Sequence, residues 1–266
     1  MRIAGKILIA ALTLYLAAMA LLYTLQRRVL YIPPPSYFTP QDTGLQGVTE
    51  IIEGGALIGW WSPPAAETAP VIIMFHGNGS AVYSGSDIVQ TFQAQGYGVF
   101  VVAYPGYPGR DGKPSQDSLV NAAVQARSYV QAQGVSPPRI IYYGTSLGAG
   151  IASQLAATRP PALLILEAPF ESARARAQNM FPMFPSGALV KDQFRSDIAL
   201  SNIDAPLLWL HGTADRVIPI DEGRALYNGY DGPKEKAVFT GGGHNNIWYI
   251  GGRDVILQAI EARFPA

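Results

Sequence analysis

Between Arg139 and Ala157 the sequence passes from an apolar run, Ile140-Ile141-Tyr142-Tyr143, through Gly144-Thr145-Ser146-Leu147-Gly148-Ala149-Gly150 into the small-residue stretch Ile151-Ala152-Ser153-Gln154-Leu155-Ala156-Ala157. That order reads as strand, sharp turn and helix, and the turn carries the pattern G-x-S-x-G. The glycines of such an elbow are expected to let the backbone turn tightly enough to hold a serine hydroxyl clear of a sheet. Ser146 is therefore the candidate nucleophile, and the rest of the chain has to supply the sheet that ends beneath it.

The flanking sequence does so. Val48 to Glu53 and Ala56 to Trp61 read as a hairpin turning at Gly54-Gly55. Val71-Ile72-Ile73-Met74-Phe75, Gly98-Val99-Phe100-Val101-Val102, Ala162-Leu163-Leu164-Ile165-Leu166, Leu207-Leu208-Trp209-Leu210 and Ala237-Val238-Phe239-Thr240 are short apolar runs suited to strands buried on both faces. Helical segments separate them: one ends near Gln95, one starts behind Ser115 with Leu119, Ala123, Ala126 and Val130 at helical spacing, and one closes the chain from Asn246 to Arg263. The alternation implies an α/β fold with a mostly parallel, eight-stranded sheet, right-handed crossovers and helices on both faces. Functional loops then lie at the carboxyl ends of the strands. Residues 170–204 break the pattern with Asn179-Met180-Phe181-Pro182-Met183-Phe184-Pro185, which reads as a small cap over the active-site edge or, alternatively, as side chains packed into the core.

From Ile7 to Leu25 no charged residue occurs; Arg2 and Lys6 precede this run and Arg27 and Arg28 follow it. The run is long enough to span a bilayer as a helix. Ala18-Met19-Ala20 is a permissible signal-peptidase site, but the apolar run continues past it, which favours a retained anchor. The basic residues are nearly balanced, with a slight N-terminal excess that puts the amino end inside and the domain outside. Pro33-Pro34-Pro35 and Pro40 mark an extended connector. The expected division is an anchor at 1–28, a connector at 29–48 and an α/β domain at 49–266.

A serine hydroxyl needs an imidazole to take its proton, and the imidazole needs an acceptor on its other nitrogen. The chain has only three histidines, His76, His211 and His244. His244 follows the last strand behind a glycine run, and Asp215 follows the strand before it, giving the order Ser, Asp, His expected of this architecture. Asp221 is the rival carboxylate, and His76 and His211 read as structural. Acyl transfer also needs donors for an oxyanion, and the amides of Leu147 and Asn78 are placed for it.

The segments His76-Gly77-Asn78, Tyr104-Pro105-Gly106-Tyr107, Gly144-Thr145-Ser146-Leu147-Gly148, Glu167-Ala168-Pro169-Phe170, His211-Gly212-Thr213-Ala214-Asp215 and Gly241-Gly242-Gly243-His244-Asn245 resemble, in order, the motifs of membrane-anchored α/β-hydrolase-domain serine hydrolases with a serine-aminopeptidase-like domain. The resemblance spans most of residues 45–265. It implies a Ser146, Asp215, His244 triad that hydrolyses an acyl ester or thioester. Tyr104, Tyr107, Met180, Phe181, Met183 and Phe184 are the residues expected to shape the substrate pocket. Many relatives carry an acidic residue where this chain has Ala103, and an aspartate where it has Asn246.

Nineteen basic residues balance nineteen acidic ones, so no nucleic-acid footprint is present. The absence of cysteine excludes disulfides, a thiol nucleophile and thiolate metal sites. No G-x-G-x-x-G fingerprint or metal cluster is apparent, and neither a cofactor nor a metal is expected. Carboxylic esters with acyl chains are the leading substrates; thioester or peptide cleavage by the same triad, and an idle anchored scaffold, are the alternatives.

Overall fold

Every other residue of the central strands enters a different apolar layer, which is how a strand covered on both sides divides its side chains. In the computed structural model, which describes residues 2–265, the strands are β1 (Thr49–Glu53), β2 (Ala56–Ser62), β3 (Val71–Phe75), β4 (Gly98–Val102), β5 (Ile140–Thr145), β6 (Leu163–Glu167), β7 (Leu207–Gly212) and β8 (Lys234–Phe239). They form one eight-stranded sheet in the order β1-β2-β4-β3-β5-β6-β7-β8. β1 and β2 are antiparallel to their neighbours, and every pairing from β4 to β8 is parallel.

Ile73, Phe75, Phe100, Tyr142 and Leu164 pack on one face with Leu119, Ala123, Ala126 and Val130 of α3 (Gln116–Ala132) and with α4 (Leu147–Ala156). Ile72, Met74, Val101, Ile141, Tyr143 and Ile165 pack on the other with Val89 and Phe92 of α2 (Ser86–Ala94) and Ile256 and Ile260 of α9 (Gly252–Arg263). Ser115 caps α3 as its composition suggested, in a reciprocal box with Ser118.

The first helix, α1 (Arg2–Leu30), includes Ile3–Leu30, which is long and apolar enough to cross a membrane. Residues 170–204 form three short helices beside the active-site edge, α5 (Ala173–Met180), α6 (Ser186–Leu189) and α7 (Ser196–Leu200). The remaining helix is α8 (Ile220–Gly229).

Three boundaries depart from the sequence reading. The segment read as a connector is not a free tether: Tyr31, Leu45 and Val48 are buried, and the Tyr37 hydroxyl donates to Glu50, so its apolar side chains dock it on the sheet. β8 begins at Lys234, three positions before the apolar run, because it is an edge strand whose Glu235 and Lys236 remain exposed. The closing helix starts at Gly252; Gly251, at φ 116°, separates it from a one-turn 3₁₀ helix at Trp248–Ile250.

Candidate active site

β5 delivers Ser146 into the turn before α4 with φ 55° and ψ −115°, a conformation costly for any residue with a Cβ. The serine itself therefore takes the strained position. Gly144 and Gly148 have ordinary φ values but sit too close to neighbouring backbone for a side chain. A Cβ on Gly144 would lie 2.5 Å from the Gly148 carbonyl oxygen, and one on Gly148 would overlap the Phe75 carbonyl. Strain at Ser146 is held by its N–H donating to the Glu167 carbonyl at 2.9 Å. The helix that follows carries no aspartate, glutamate, lysine or arginine, so the local field comes from its amide ends.

Ser146 Oγ lies 3.0 Å from His244 Nε2, and His244 Nδ1 lies 2.7 Å from Asp215 Oδ2. An ionised carboxylate can only accept, so Nδ1–H donates to Asp215 and Nε2 is left to accept the serine proton. Asp215 Oδ1 accepts from the amides of Val217 at 2.8 Å and Ile218 at 2.9 Å. Burial alone would raise this carboxyl, but hydrogen bonds from His211, His244 and the Ile218 amide outweigh it and hold it well below the usual carboxylate range. The loops bearing Asp215 and His244 are stitched together by Ala214 N–H to the Gly242 carbonyl and Gly241 N–H to Thr213 Oγ1. Asn246 accepts from the Gly243 amide at 2.8 Å.

His211 and His76 take structural roles. His211 is fully buried, with Nε2 2.9 Å from the Ile218 carbonyl and 3.4 Å from Asp215 Oδ2, so it brackets the carboxylate opposite His244. His76 stacks on Tyr104 with ring centroids 4.0 Å apart, and burial pushes its imidazole down to about 4, so it is neutral.

The turn His76-Gly77-Asn78 lies against the nucleophile: a Cβ on Gly77 would sit 3.7 Å from Ser146 Cβ. Among the described residues, the amides of Asn78 and Leu147 donate to no other main-chain group, and both residues border one cavity with Ser146. That cavity is about 390 Å³ in volume. Its walls include Met180, Phe181 and Phe184 from the cap, Val217 and Ile218, and Met19, Leu22, Tyr23 and Gln26 from α1. A second depression, of about 410 Å³, lies at the opposite strand ends among Pro206, Pro233 and Arg263, away from Ser146.

Three residues expected in the pocket are elsewhere. Tyr104 and Tyr107 are buried behind the His76–Asn78 turn, where their hydroxyls donate to the His76 carbonyl and to Asn78 Oδ1. Met183 projects outward, 82% exposed. Conversely, the α1 wall was not foreseen; its only sequence signal is the stripe Met19, Leu22, Tyr23, Gln26 at three- and four-residue spacing. Beneath the elbow, the buried Glu167 carboxyl accepts from the Tyr143 hydroxyl at 2.5 Å, and burial pushes it up to about 6.

Known proteins resemble this chain over most of its length. Residues 66–196 match the family described as serine aminopeptidase, S33. The uncharacterised protein Rv2307c of Mycobacterium tuberculosis is 32% identical over 246 residues, 90% of this chain and 87% of its own length. The lysophosphatidylserine lipase ABHD12 of Danio rerio is 29% identical over 190 residues, 64% of this chain and 49% of that longer protein. The Pyrococcus furiosus esterase PF2001 superposes with a TM-score of 0.67 at 17% identity, covering 89% of this chain and 98% of its own. A Paleococcus ferrophilus monoacylglycerol lipase gives 0.60 at 18% identity, covering 77% and 99%. At those identities the two structures speak for the fold. The chain thus belongs to the α/β-hydrolases and to one family with Rv2307c, with a serine aminopeptidase (S33) match over residues 66–196.

Proposed function

We propose that this protein is a membrane-anchored serine hydrolase that cleaves carboxylic esters of single-acyl lipids through an acyl-Ser146 intermediate. The observation that carries the reading is the hydrogen-bonded chain from Ser146 Oγ through His244 to Asp215, opening into a cavity lined largely by apolar side chains. Ser146 Oγ attacks the acyl carbonyl as its proton passes to His244 Nε2, and Asp215 stabilises the imidazolium. The amides of Leu147 and Asn78 meet the oxyanion. The alcohol departs with the proton from His244; water, deprotonated by His244, then releases the carboxylic acid and restores the Ser146 hydroxyl.

The cavity volume falls within the range of small-molecule sites, about 300–1,000 Å³. Relatives named as monoacylglycerol lipase and lysophosphatidylserine lipase favour lipid esters with one acyl chain. Residues 1–28 serve as the anchor, 29–48 as the connector and 49–266 as the catalytic unit, with the domain on the extracytoplasmic side. That orientation is supported by the pairing of Arg27 with Asp192, which leaves less free positive charge on the domain side of α1.

The test is labelling of detergent-solubilised protein with a fluorophosphonate probe, comparing wild type with Ser146→Ala and His244→Ala. Loss of labelling in both supports an activated serine; absence of labelling in folded wild type points to an idle scaffold. Turnover on acyl esters, acyl thioesters and aminoacyl amides then separates lipase from thioesterase and peptidase.

A further inference from the structure

The outer wall of the Ser146 cavity is a helix that, by its composition, belongs in a bilayer, and α1 is fastened to the cap at two levels. Near its end, Arg27 makes a forked pair with Asp192 at 2.8 and 3.0 Å, and Gln26 Oε1 accepts from the Lys191 amide at 2.6 Å. Towards the middle of α1, Tyr15 stacks on Phe184 with centroids 5.2 Å apart, and its hydroxyl donates to the Met183 carbonyl at 3.1 Å.

Helix geometry converts these two contacts into a depth. At about 1.5 Å per residue, Tyr15 lies about 18 Å along the axis from Arg27. A tilt of up to about 40° shortens that to about 14 Å. One leaflet's hydrocarbon is about 15 Å thick, half of the whole. With Arg27 and Arg28 among the headgroups, the loop touching Tyr15 lies at the level of the acyl chains. Its composition fits that depth: no charged residue occurs between Arg176 and Lys191, while Met180 is 53% and Met183 82% exposed. In water such a tip is an unexplained apolar surface.

We propose that the cap tip, residues 180–185, is immersed in the leaflet adjoining the catalytic domain, and that the cavity between α1 and the cap takes its lipid ester sideways from that leaflet. The substrate is then a bilayer-resident single-acyl lipid whose chain slides between Tyr23 and Phe181 while its ester reaches Ser146. The substrate half of this proposal rests on the hydrolase reading of Ser146; the depth of the cap does not.

The chain has no cysteine, so single-cysteine variants of the full-length protein can be labelled without background. An environment-sensitive dye is placed at Met183→Cys and, as control, at Glu261→Cys on α9, whose last turn lines the depression at the opposite strand ends. In phosphatidylcholine vesicles the dye at 183 is expected to be blue-shifted, quenched by nitroxide on lipid acyl chains and shielded from aqueous iodide, with the reverse at 261. Iodide quenching without nitroxide quenching at 183 overturns the immersion. Wild type, Met183→Asp and Ser146→Ala are then assayed on a water-soluble butyrate ester and on vesicle-borne monoacylglycerol. Met183 lies outside the cavity walls, so Met183→Asp should keep butyrate turnover within about twofold. It should lose about tenfold or more on the vesicle substrate, because a carboxylate resists the hydrocarbon. An equal effect on both substrates overturns the sideways route. Activity surviving in Ser146→Ala overturns the hydrolase reading instead and leaves the dye result standing.

Discussion

The side-chain amide of Asn78 donates to the main-chain carbonyl of Leu30, the last residue of α1, at 2.5 Å. Asn78 Oδ1 accepts from the Ile32 amide at 2.9 Å and the Tyr107 hydroxyl at 2.8 Å. The residue whose N–H is proposed to meet the oxyanion is thus fixed by its own side chain to the end of α1. Asn78→Ala leaves that amide in the chain but unfastens it. The expected result is a drop in kcat of about tenfold with KM little changed, less than the hundredfold or more that follows loss of an oxyanion donor. Steady-state kinetics on a soluble ester check this, and an unchanged kcat would show that the turn holds itself.

Asp215 fixes the tautomer of His244, so Asp215→Asn should lower kcat by on the order of ten-thousand-fold while the fold persists. The carboxyl is held below its ordinary value, so its contribution to stability is complete above about pH 4 and is lost only as pH falls further. A pH–rate profile on wild type should show an acid limb in a range where Asp215 is already ionised. A limb coinciding with acid unfolding would contradict that.

Glu167 behaves in the opposite sense. Burial raises its carboxyl from 4.5 to about 6, so between those values the folded state holds a proton that the unfolded chain has released. Wild-type stability should therefore fall across that window by on the order of 2 kcal/mol, relative to Glu167→Gln, and stay level above it. Unfolding of both proteins in one detergent at pH 4.5, 6 and 7.5 measures the difference. Parallel curves would mean that the carboxyl is ionised within the fold.

The ion pair between α1 and the cap is unequal in its two partners. Arg27 is 47% exposed at its side chain and Asp192 only 4%, and Asp192 also accepts from the Gln116 amide at the start of α3. Arg27→Ala should cost less than about 1 kcal/mol, as for an exposed ion pair. Asp192→Ala should cost more, about 1–3 kcal/mol, because it also takes the acceptor from the half-buried Gln116 amide. Thermal unfolding of the two variants orders them, and equal losses would refute the asymmetry.

The sheet was legible because strands such as Val71–Phe75 and Ile140–Thr145 are apolar throughout, and Ser146 and Asp215 stood out because each follows such a strand, His244 because it follows a glycine run. Where burial is one-sided, legibility failed. Lys234-Glu235-Lys236 hid the start of β8, since an edge strand keeps its charges. The elbow glycines were read correctly as necessary but for a different reason: Ser146 takes the positive φ, and the glycines admit neighbouring backbone. The contacts of α1 left almost no trace, because Arg27 and Asp192 are 165 positions apart and a pairing at that range creates no local pattern. Tyr104 and Tyr107 were expected to shape the substrate pocket; their hydroxyls instead brace the turn that carries Asn78.

The cavity wall supplied by Met19, Leu22, Tyr23 and Gln26 bears on how this protein can be handled. Trimming an anchored hydrolase to its globular part is the usual route to a soluble sample. Removing residues 1–28 here would leave a trough open along one side, and would take away the helix that holds Leu30 and Ile32 against Asn78. In the shortened protein water would fill the side of the cavity that Met19, Leu22 and Tyr23 now close. Detergent or lipid nanodiscs are accordingly part of any fair assay.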